Sequence, residues 1–405
     1  MNTASTVDTS AEEGRTFRLE LRAWLDANIP VEWRPAGFWH MMDDETSFTL
    51  RRDWERKKYD AGWAGIDFPG EYGGRGGTVL ERAIYEEELA LANAPETVNP
   101  QIPIIGPSLL LFGEEWQKKR FLKPLLRCDE LWCQGFSEPN AGSDLASLRT
   151  KAELRGDHYV INGQKTWTSF APICDWMFLL ARTASTGKKH QGLTLFLVDM
   201  KTPGIDARFI KHMTGRLDFA EVFLDGVEVP VENVLGGVDQ GWKTINGLLH
   251  EERIARIGQF ALYRRHLELL VRFAKQARRN GRPAAEDPIL RQRLGQVCVE
   301  MELLRVHSLE TMAAIARGES QDQDAPLTKY SYGETHQDMG EVFTDLAGAM
   351  WHLHDGDPTQ GPVDQGLLRE LQFIFMRTRA ETISGGSAQI QRNIIGERVL
   401  GLPRA

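Results

Sequence analysis

Residues 132–144, which read WCQGFSEPNAGSD, decide how this chain is interpreted. The first half has the composition of a short strand, and the second half has the proline and glycine of a tight turn. A strand end of this kind can present hydroxyls and backbone amides along a flat ring. Residues 162–169, NGQKTWTS, add an indole for stacking and further hydroxyls. The two segments predict a site for a planar cofactor, with ordinary strand ends carrying Asx and Ser turns as the alternative.

The segments stand in a β region between two helical regions. Before about residue 131, apolar residues such as Phe17, Leu21 and Leu25 recur at helical spacing. Between about 132 and 238 the chain has short apolar runs bounded by Gly, Pro, Asn and Asp, which are typical of strands. After Gly241 the helical period returns in long segments, as in a bundle. We therefore expect three domains, at 1–131, 132–238 and 239–405.

Within these regions the pattern predicts individual elements. Strands are expected at 158–161, 176–181, 193–199 and 221–224, with turns at Asn162-Gly163 and Asp225-Gly226 following two of them. Long C-terminal helices are expected near 242–280, 287–317, 323–354 and 364–380.

Composition excludes several classes of function. The 48 basic and 57 acidic residues give a net charge of -9, which offers no footprint for nucleic acid or an anionic membrane. No run approaches the roughly 18 apolar residues of a membrane-spanning helix, and the first residues resemble no targeting segment, so a cytoplasmic protein is expected. The 4 cysteines form no CxxC pair, which predicts buried apolar thiols without a metal site or a disulfide.

Specific motifs give a family resemblance. The pattern SEPxAGSD at 137–144, followed by NGxKxW at 162–167, closely resembles the paired signatures of the acyl-CoA dehydrogenase family. The helix, sheet, helix order and the closing QIQR at 389–392 match that family along nearly the whole chain. The resemblance implies an N-terminal all-α domain, a central β-barrel-like domain and a C-terminal four-helix bundle. It also implies an FAD-dependent enzyme that introduces a trans double bond between the α and β carbons of an acyl-CoA.

The family's binding residues carry over to matching positions. The resemblance implies that Phe136, Ser137, Trp167 and Ser169 line the flavin ring, and that Ser143 lies near the pantetheine arm of the thioester. An electron-transfer flavoprotein or a similar acceptor would reoxidise the FAD.

The catalytic base departs from the commonest pattern. Many members carry a glutamate just before the Gly-Thr or Gly-Ser of the last motif, where this chain has Gly385. Other members carry the base on a bundle helix, and Glu252 matches that location, directly before the family's arginine, Arg253. We expect Glu252 to be the base, Arg253 to bind substrate and the Gly385 amide to polarise the thioester carbonyl. A solvated surface pair of Glu251 and Glu252 is the alternative.

A second departure concerns the oligomer. Family homo-oligomers reach a neighbour's FAD with an arginine before Phe-Gly and with a Gly-Gly-x-Gly loop, whereas this chain has ARRNGR at 277–282 and AGAMW at 347–351. We therefore expect a heterotetramer with a second acyl-CoA dehydrogenase-like subunit, similar to the paired enzymes of bacterial steroid side-chain degradation. Arg278 or Arg279 as a shifted substitute would leave a homo-oligomer open. Otherwise the basic run is interpreted as a solvated helix end.

The acyl group is expected to be bulky, like a steroid side chain, or branched, because glycine at 385 opens space near the reacting carbons. Two rival functions remain at this point. One is a non-catalytic partner subunit, and the other is a flavin-dependent N-hydroxylase or desulfinase on the same fold.

Overall fold

The computed structural model describes residues 4–185, 187–247, 260–319, 324–352 and 363–403. The chain divides into two compact units. The first unit contains residues 1–47, 77–96 and 253–405, and the second contains residues 48–76 and 97–252. The expected order of helices, sheet and helices is confirmed, while the domain boundaries at 131 and 238 stay a prediction.

Helices dominate the N-terminal part of the chain. They are α1 (Ala4–Asn28), α2 (Asp44–Asp60), α3 (Val79–Leu91), α4 (Ile102–Phe112) and α5 (Glu115–Leu126). Helix α1 buries Phe17, Leu21 and Leu25, as the spacing predicts. Helix α3 begins at a capping box in which Thr78 and Glu81 satisfy each other's backbone amides.

The strands of the second unit form an eight-stranded sheet with the order β6-β7-β3-β2-β4-β5-β8, and β1 pairs in parallel with β4. The strand bounds are β1 (Trp132–Gly135), β2 (Lys151–Arg155), β3 (His158–Lys165), β4 (Trp176–Arg182), β5 (Leu193–Asp199), β6 (Ile205–Ile210), β7 (Phe219–Pro230) and β8 (Val234–Leu235). Each predicted strand lies within one of these, and the prediction for β5 matches its bounds.

Strands β4 and β5 are buried on both faces, which is why their sequences are continuously apolar. Phe178 and Leu180 pack with α4 and α5 in one core. The alternate residues Met177 and Leu179 pack in a second core with side chains of β3, β5 and β7. Strands from distant places in the sheet therefore share one interior, as a barrel-like curvature requires.

The two predicted turns, at 162–163 and 225–226, are wrong. Both lie inside paired strands, β3 and β7, where the register shifts after Ile161. The side-chain oxygen of Asn162 accepts a hydrogen bond from the Gly226 amide at 2.8 Å, and Gly226 has a φ of 64°. The turn residues thus form an irregularity between neighbouring strands, because Asn and Gly suit a β-bulge as well as a hairpin end.

The first unit contains the C-terminal helices. They are α6 (Phe260–Gln276), α7 (Pro288–Ala316), α8 (Asp324–Ala347), α9 (Gln365–Thr378) and α10 (Ala388–Ile394). One apolar core joins them, with Phe273 of α6 edge-on to Phe343 of α8 at 5.3 Å between ring centroids. Residues 241–247, where the first of the predicted long helices should begin, are helical, and residues 248–259 lie outside the described residues.

The basic run at 278–282 is not a helix end. Arg278–Arg279 and Arg282–Pro283 pair as the antiparallel strands β9 and β10. Asn280 and Gly281 connect them with φ values of 52° and 79°. These angles are those of the Asn-Gly turn that favours tight hairpins, so the local turn residues override the preceding helical period.

The prediction of buried thiols is right for Cys128 and Cys133 but wrong for Cys298, which is exposed, and for Cys174, which is half-buried. In the described parts of the chain, no helix is long and apolar enough to cross a membrane. Those parts also hold no group of His, Cys, Asp and Glu side chains that could bind a metal ion.

Candidate functional site

Glu138 is the centre of the segment at 132–144. Its backbone exchanges two hydrogen bonds with Ala141, each of 3.0 Å, and these close the turn. Its carboxylate accepts hydrogen bonds from the backbone amides of Arg149 at 2.7 Å and Thr150 at 2.8 Å. The ammonium of Lys165 donates to the same carboxylate at 2.8 Å. One side chain therefore connects three separate stretches of the second unit.

The two signature segments are joined directly as well. Lys165, which is 0% exposed, also donates to the carbonyl oxygen of Phe136 at 3.0 Å. The amide of Thr166 donates to the carbonyl of Ser137 at 2.9 Å. The end of β1 and the end of β3 thus lie side by side, as a shared binding surface requires.

The chain after β3 has an unusual backbone. Trp167 and Phe170 have φ values of 59° and 55°, a region that bulky residues rarely adopt. Hydrogen bonds hold this stretch in place: the Thr168 amide donates to the Ala220 carbonyl at 3.0 Å, and the Phe170 amide donates to the Asp218 carbonyl at 2.9 Å. Strain of this kind persists only where the surroundings enforce it, and it concentrates at binding sites.

The strained turn presents an indole outward. The Trp167 side chain is 59% exposed, and its only aromatic neighbour in the described chain is Phe219, edge-on with a 6.0 Å centroid distance. Ser137 and Ser169 are half-buried, whereas Phe136 is buried at 5% exposure. The structure thus brings the predicted ring-binding residues Phe136, Ser137, Trp167 and Ser169 to adjacent strand ends within the second unit.

Ser143 is exposed, beyond the Glu138 turn. Its neighbour Asp144 pairs with the Lys189 ammonium at 2.7 and 2.9 Å, and this contact anchors the loop. The predicted thioester-arm residue is therefore accessible in the same unit as the ring-binding set.

Gly385 lies in a turn of the first unit, before α10. Gly385 and Gly386 have φ values of 63° and 86°. The side-chain nitrogen Nε2 of Gln391 donates to both of their carbonyl oxygens, at 3.4 and 3.3 Å. Ser387 caps α10 by accepting from the Ile390 amide at 3.3 Å. Gly385 is exposed, and its amide donates to no acceptor among the described residues. Glu252 and Arg253, the predicted base and substrate residue, lie outside the described residues.

Glu138 and Lys165 lie within the two motifs, but no role was expected for either. A glutamate and a lysine in two polar segments do not by themselves indicate a buried contact. Thr168 lies in the segment that was expected to offer hydroxyls, but its hydroxyl is buried without a hydrogen-bond partner in the described structure. A threonine between an exposed Trp and a Ser gives no hint of burial.

Comparison with known proteins defines the class. The family model "Acyl-CoA dehydrogenase, N-terminal domain" matches residues 11–129, the middle-domain model matches 133–227, and the C-terminal model matches 239–400. The chain belongs to the acyl-CoA dehydrogenase family. It is therefore an oxidoreductase of the acyl-CoA dehydrogenase type.

The relatives include the acyl-CoA dehydrogenase IpdE1 of Mycobacterium tuberculosis, which is 40% identical over 96% of this chain and 97% of its own length. A solved structure titled "Tcur3481-Tcur3483 steroid ACAD" is 30% identical, with a TM-score of 0.83 over 97% of this chain and 98% of that chain. The ChsE4-ChsE5 complex from Mycobacterium tuberculosis is 28% identical, with a TM-score of 0.81 over 97% and 98% of the two chains.

Proposed function

We propose that this acyl-CoA dehydrogenase binds FAD and forms the trans-2-enoyl thioester of a bulky acyl-CoA, with Glu252 as the base. The observation that carries the proposal is the pair of joined strand ends that holds an exposed Trp167 beside Ser137 and Ser169. Bound flavin would accept the hydride that leaves the β carbon. The protein would bind the ring, orient the thioester and remove the α proton.

The side chains at the strand ends suit a flavin ring. An isoalloxazine needs an apolar plane for stacking and hydrogen-bond donors for its polar edge. The Trp167 indole offers a plane with more than half of its surface open, and Ser137 and Ser169 offer hydroxyls. Because the Lys165 and Thr166 contacts fix these strand ends, the donors would be held in place before the ring binds.

The proton step is assigned to Glu252 from its position in the sequence. Its carboxylate would take the α proton, and the Gly385 amide would donate to the thioester carbonyl, on which negative charge develops as that proton leaves. Arg253 would contact the substrate beside it. The support at Gly385 is a backbone amide with no acceptor in the described chain, in a turn whose carbonyls Gln391 holds.

A bulky acyl group is proposed as the substrate class. Gly385 has no side chain where other members carry a glutamate, which leaves more room for the acyl group. One of the similar solved structures is titled a steroid enzyme. The proposed substrate is therefore a steroid side-chain-like or branched acyl-CoA, with an electron-transfer flavoprotein or similar protein as the electron acceptor.

A second acyl-CoA dehydrogenase-like subunit is proposed as the partner. Helix α7 carries Val299, Leu303 and Val306 on its surface, with exposures of 56%, 64% and 41%. Because spacings of four and three residues place these side chains on one helix face, they would form an apolar contact surface. Both similar structures carry titles that pair two protein names. The exposed hairpin residues Arg278 and Arg279 leave a homo-oligomer as the alternative.

The test uses flavin absorbance. The chain is purified alone and co-expressed with candidate partner subunits, and spectra are recorded before and after anaerobic addition of a steroid side-chain acyl-CoA. Wild type should bleach, and Glu252→Gln should retain flavin but bleach slower by about 100-fold or more, since general bases contribute factors of about 10² to 10⁴. Glu251→Gln is the matched control and should bleach like wild type.

Each outcome decides one part of the proposal. Flavin that appears only on co-expression supports the heteromer, and a yellow chain that bleaches alone refutes it. Normal bleaching of Glu252→Gln would mean that Glu252 is not the base. If neither preparation binds flavin, the chain is not the flavin-binding subunit.

A further inference from the structure

A line of buried polar side chains crosses the first unit between α6, α8 and the turn after α9. Nδ1 of His266, on α6, lies 3.0 Å from Nε2 of His336, on α8. Nδ1 of His336 lies 2.8 Å from the Glu381 carboxylate in the turn. His266 is 8% exposed and His336 is 4% exposed, so solvent cannot replace these contacts. Buried polar side chains destabilise the fold unless they are hydrogen-bonded, so the partners of these three residues are expected to be specific.

With Glu381 ionised and His336 neutral, the contacts define which ring nitrogens carry protons. An ionised carboxylate only accepts, so Nδ1 of His336 must carry a proton and donate to Glu381. Nε2 of a neutral His336 is then an acceptor, and Nδ1 of His266 must donate to it. Burial lowers the pKa of His266 well below its ordinary value, which is consistent with a neutral donor ring. Glu381 therefore has a donor whose orientation is set by a second buried histidine.

Glu381 is held through its backbone as well. The ammonium of Lys329, on α8, donates to the Glu381 carbonyl oxygen, and Lys329 is 4% exposed. A Cβ on Gly333, one helical turn further along α8, would lie 3.3 Å from that same oxygen. Tyr263 adds a longer contact of 3.5 Å from its hydroxyl to the carboxylate. Helix α8 thus makes hydrogen bonds to both the side chain and the main chain of Glu381.

The hydrogen bonds of Glu381 hold the start of the loop that contains Gly385. The residue after Glu381, Thr382, accepts a hydrogen bond at its carbonyl from the Ala388 amide at 2.8 Å, which closes the loop that contains Gly385. Since Gly385 has a positive φ and glycine tolerates many conformations, nothing in its own chemistry fixes the direction of its amide. The Gln391 side chain holds the Gly385 carbonyl, and the direction of the Gly385 amide also depends on where the loop starts, which is at Glu381.

We propose that Glu381, oriented by His336 and Lys329, is a positioning residue that holds the loop of residues 381–388 and so fixes the direction of the Gly385 amide. This inference rests on the proposed function, in which that amide donates to the thioester carbonyl. His266 acts one step further away by keeping His336 in the donating tautomer.

Two substitutions of His336 separate this role from simple packing. The side-chain amide of Asn lies where Nδ1 of a histidine lies, and that of Gln lies where Nε2 lies. His336→Asn therefore keeps a donor to Glu381 and loses the contact with His266, and His336→Gln does the reverse. We expect kcat for flavin reduction by acyl-CoA to fall about 10- to 100-fold in His336→Gln with little change in KM, because a hydrogen bond to a charged group is lost. His336→Asn should stay within about 3-fold of wild type on the same reasoning.

A second readout does not depend on activity. Amide hydrogen exchange of the peptide spanning residues 379–388 should be faster in His336→Gln than in wild type and unchanged in His336→Asn. His307→Gln is the matched control, because His307 lies in the same bundle and contacts Thr328 at 2.9 Å, outside the line of contacts. It should leave exchange of that peptide unchanged.

The proposal is overturned if both His336 variants match wild type in exchange, or if Asn and Gln speed it equally. Should either variant fail to fold, Glu381→Gln and Glu381→Ala give the same decision at a half-buried site. Glu381→Gln retains an acceptor and should behave like wild type, whereas Glu381→Ala should loosen the peptide. A wild-type chain that never reduces flavin would remove the proposed function, and the exchange comparison would still decide the role of Glu381.

Discussion

The Lys165 ammonium lies 2.8 Å from the Glu138 carboxylate, with Lys165 0% exposed and Glu138 9% exposed. Burial lowers the pKa of Lys165 to about 8, against the opposing attraction of Glu138. Burial also acts to raise the pKa of Glu138, but the charge and hydrogen bond of Lys165, together with the hydrogen bonds from Thr150 and Arg149, outweigh it, and the pKa is lowered. The pair joins the two signature segments, so residues of the motifs themselves hold the two strand ends together.

Removing one partner should destabilise the second unit strongly. We expect Lys165→Met to lower the free energy of unfolding by roughly 3–5 kcal/mol, because it leaves the Glu138 charge buried without its cation. The double variant Lys165→Met, Glu138→Gln should recover part of that loss, since no uncompensated charge remains. Urea denaturation of the wild type, both single variants and the double variant gives the coupling. Additive effects would show that the two groups do not interact.

The pH dependence of stability follows from Glu138. Its pKa is lowered on folding, so its contribution is complete above the ordinary value of 4.5 and is lost as the pH falls through the lower value of the folded chain. The difference in unfolding free energy between wild type and the double variant Lys165→Met, Glu138→Gln, which also lacks the second titrating group, should therefore be constant from pH 7 to 5 and shrink below 4.5. Urea titrations at stepped pH measure it. A difference that grows on acidification would contradict the direction of the shift.

At Trp167, the side chain that favours flavin binding and the side chain that favours folding stability should differ. Trp167→Gly should be more stable than Trp167→Ala by about 1–2 kcal/mol, because only glycine adopts the positive φ of 59° without a Cβ clash. Both variants should lose bound flavin, because both lack the indole. Thermal unfolding of the flavin-free chains and absorbance near the flavin bands measure the two effects. Full flavin content in Trp167→Ala would remove Trp167 from the proposed site.

The apolar face of α7 provides a test of assembly. Leu303→Lys should prevent association with the partner subunit, since it would place a charge in a desolvated contact. Leu154→Lys on β2 is the matched control, because Leu154 is 60% exposed and Leu303 is 64% exposed. Light scattering after size-exclusion chromatography of the co-expressed subunits gives the mass. Equal assembly of both variants would show that this face lies outside the interface.

The proposed base Glu252 lies outside the described residues, as does the middle of the helix predicted at 242–280. Strand β5 and the bounds of α7 could be predicted because a buried strand and a long helix repeat their apolar residues at a fixed local period. The proposed ring-binding residues could be assigned to two segments of the β region because their motifs are specific, whereas the structure shows that the two strand ends are adjacent. Glu252 rests on sequence position alone, since no local pattern separates a base from a surface glutamate.

The sequence by itself determined the family, the helix, sheet, helix order and the identity of the segments that carry the candidate site, because these depend on short motifs and local periods. Only the tertiary structure decided that Asn162 and Gly226 form a bulge contact, that residues 278–283 form a hairpin, and that His266, His336 and Glu381 form one line. The bulge contact joins two strands, and the contacts of His266, His336 and Glu381 join two helices and a turn. Their energies depend on distances across the fold, which a local pattern does not contain, whereas the hairpin shows one local turn signal overriding another.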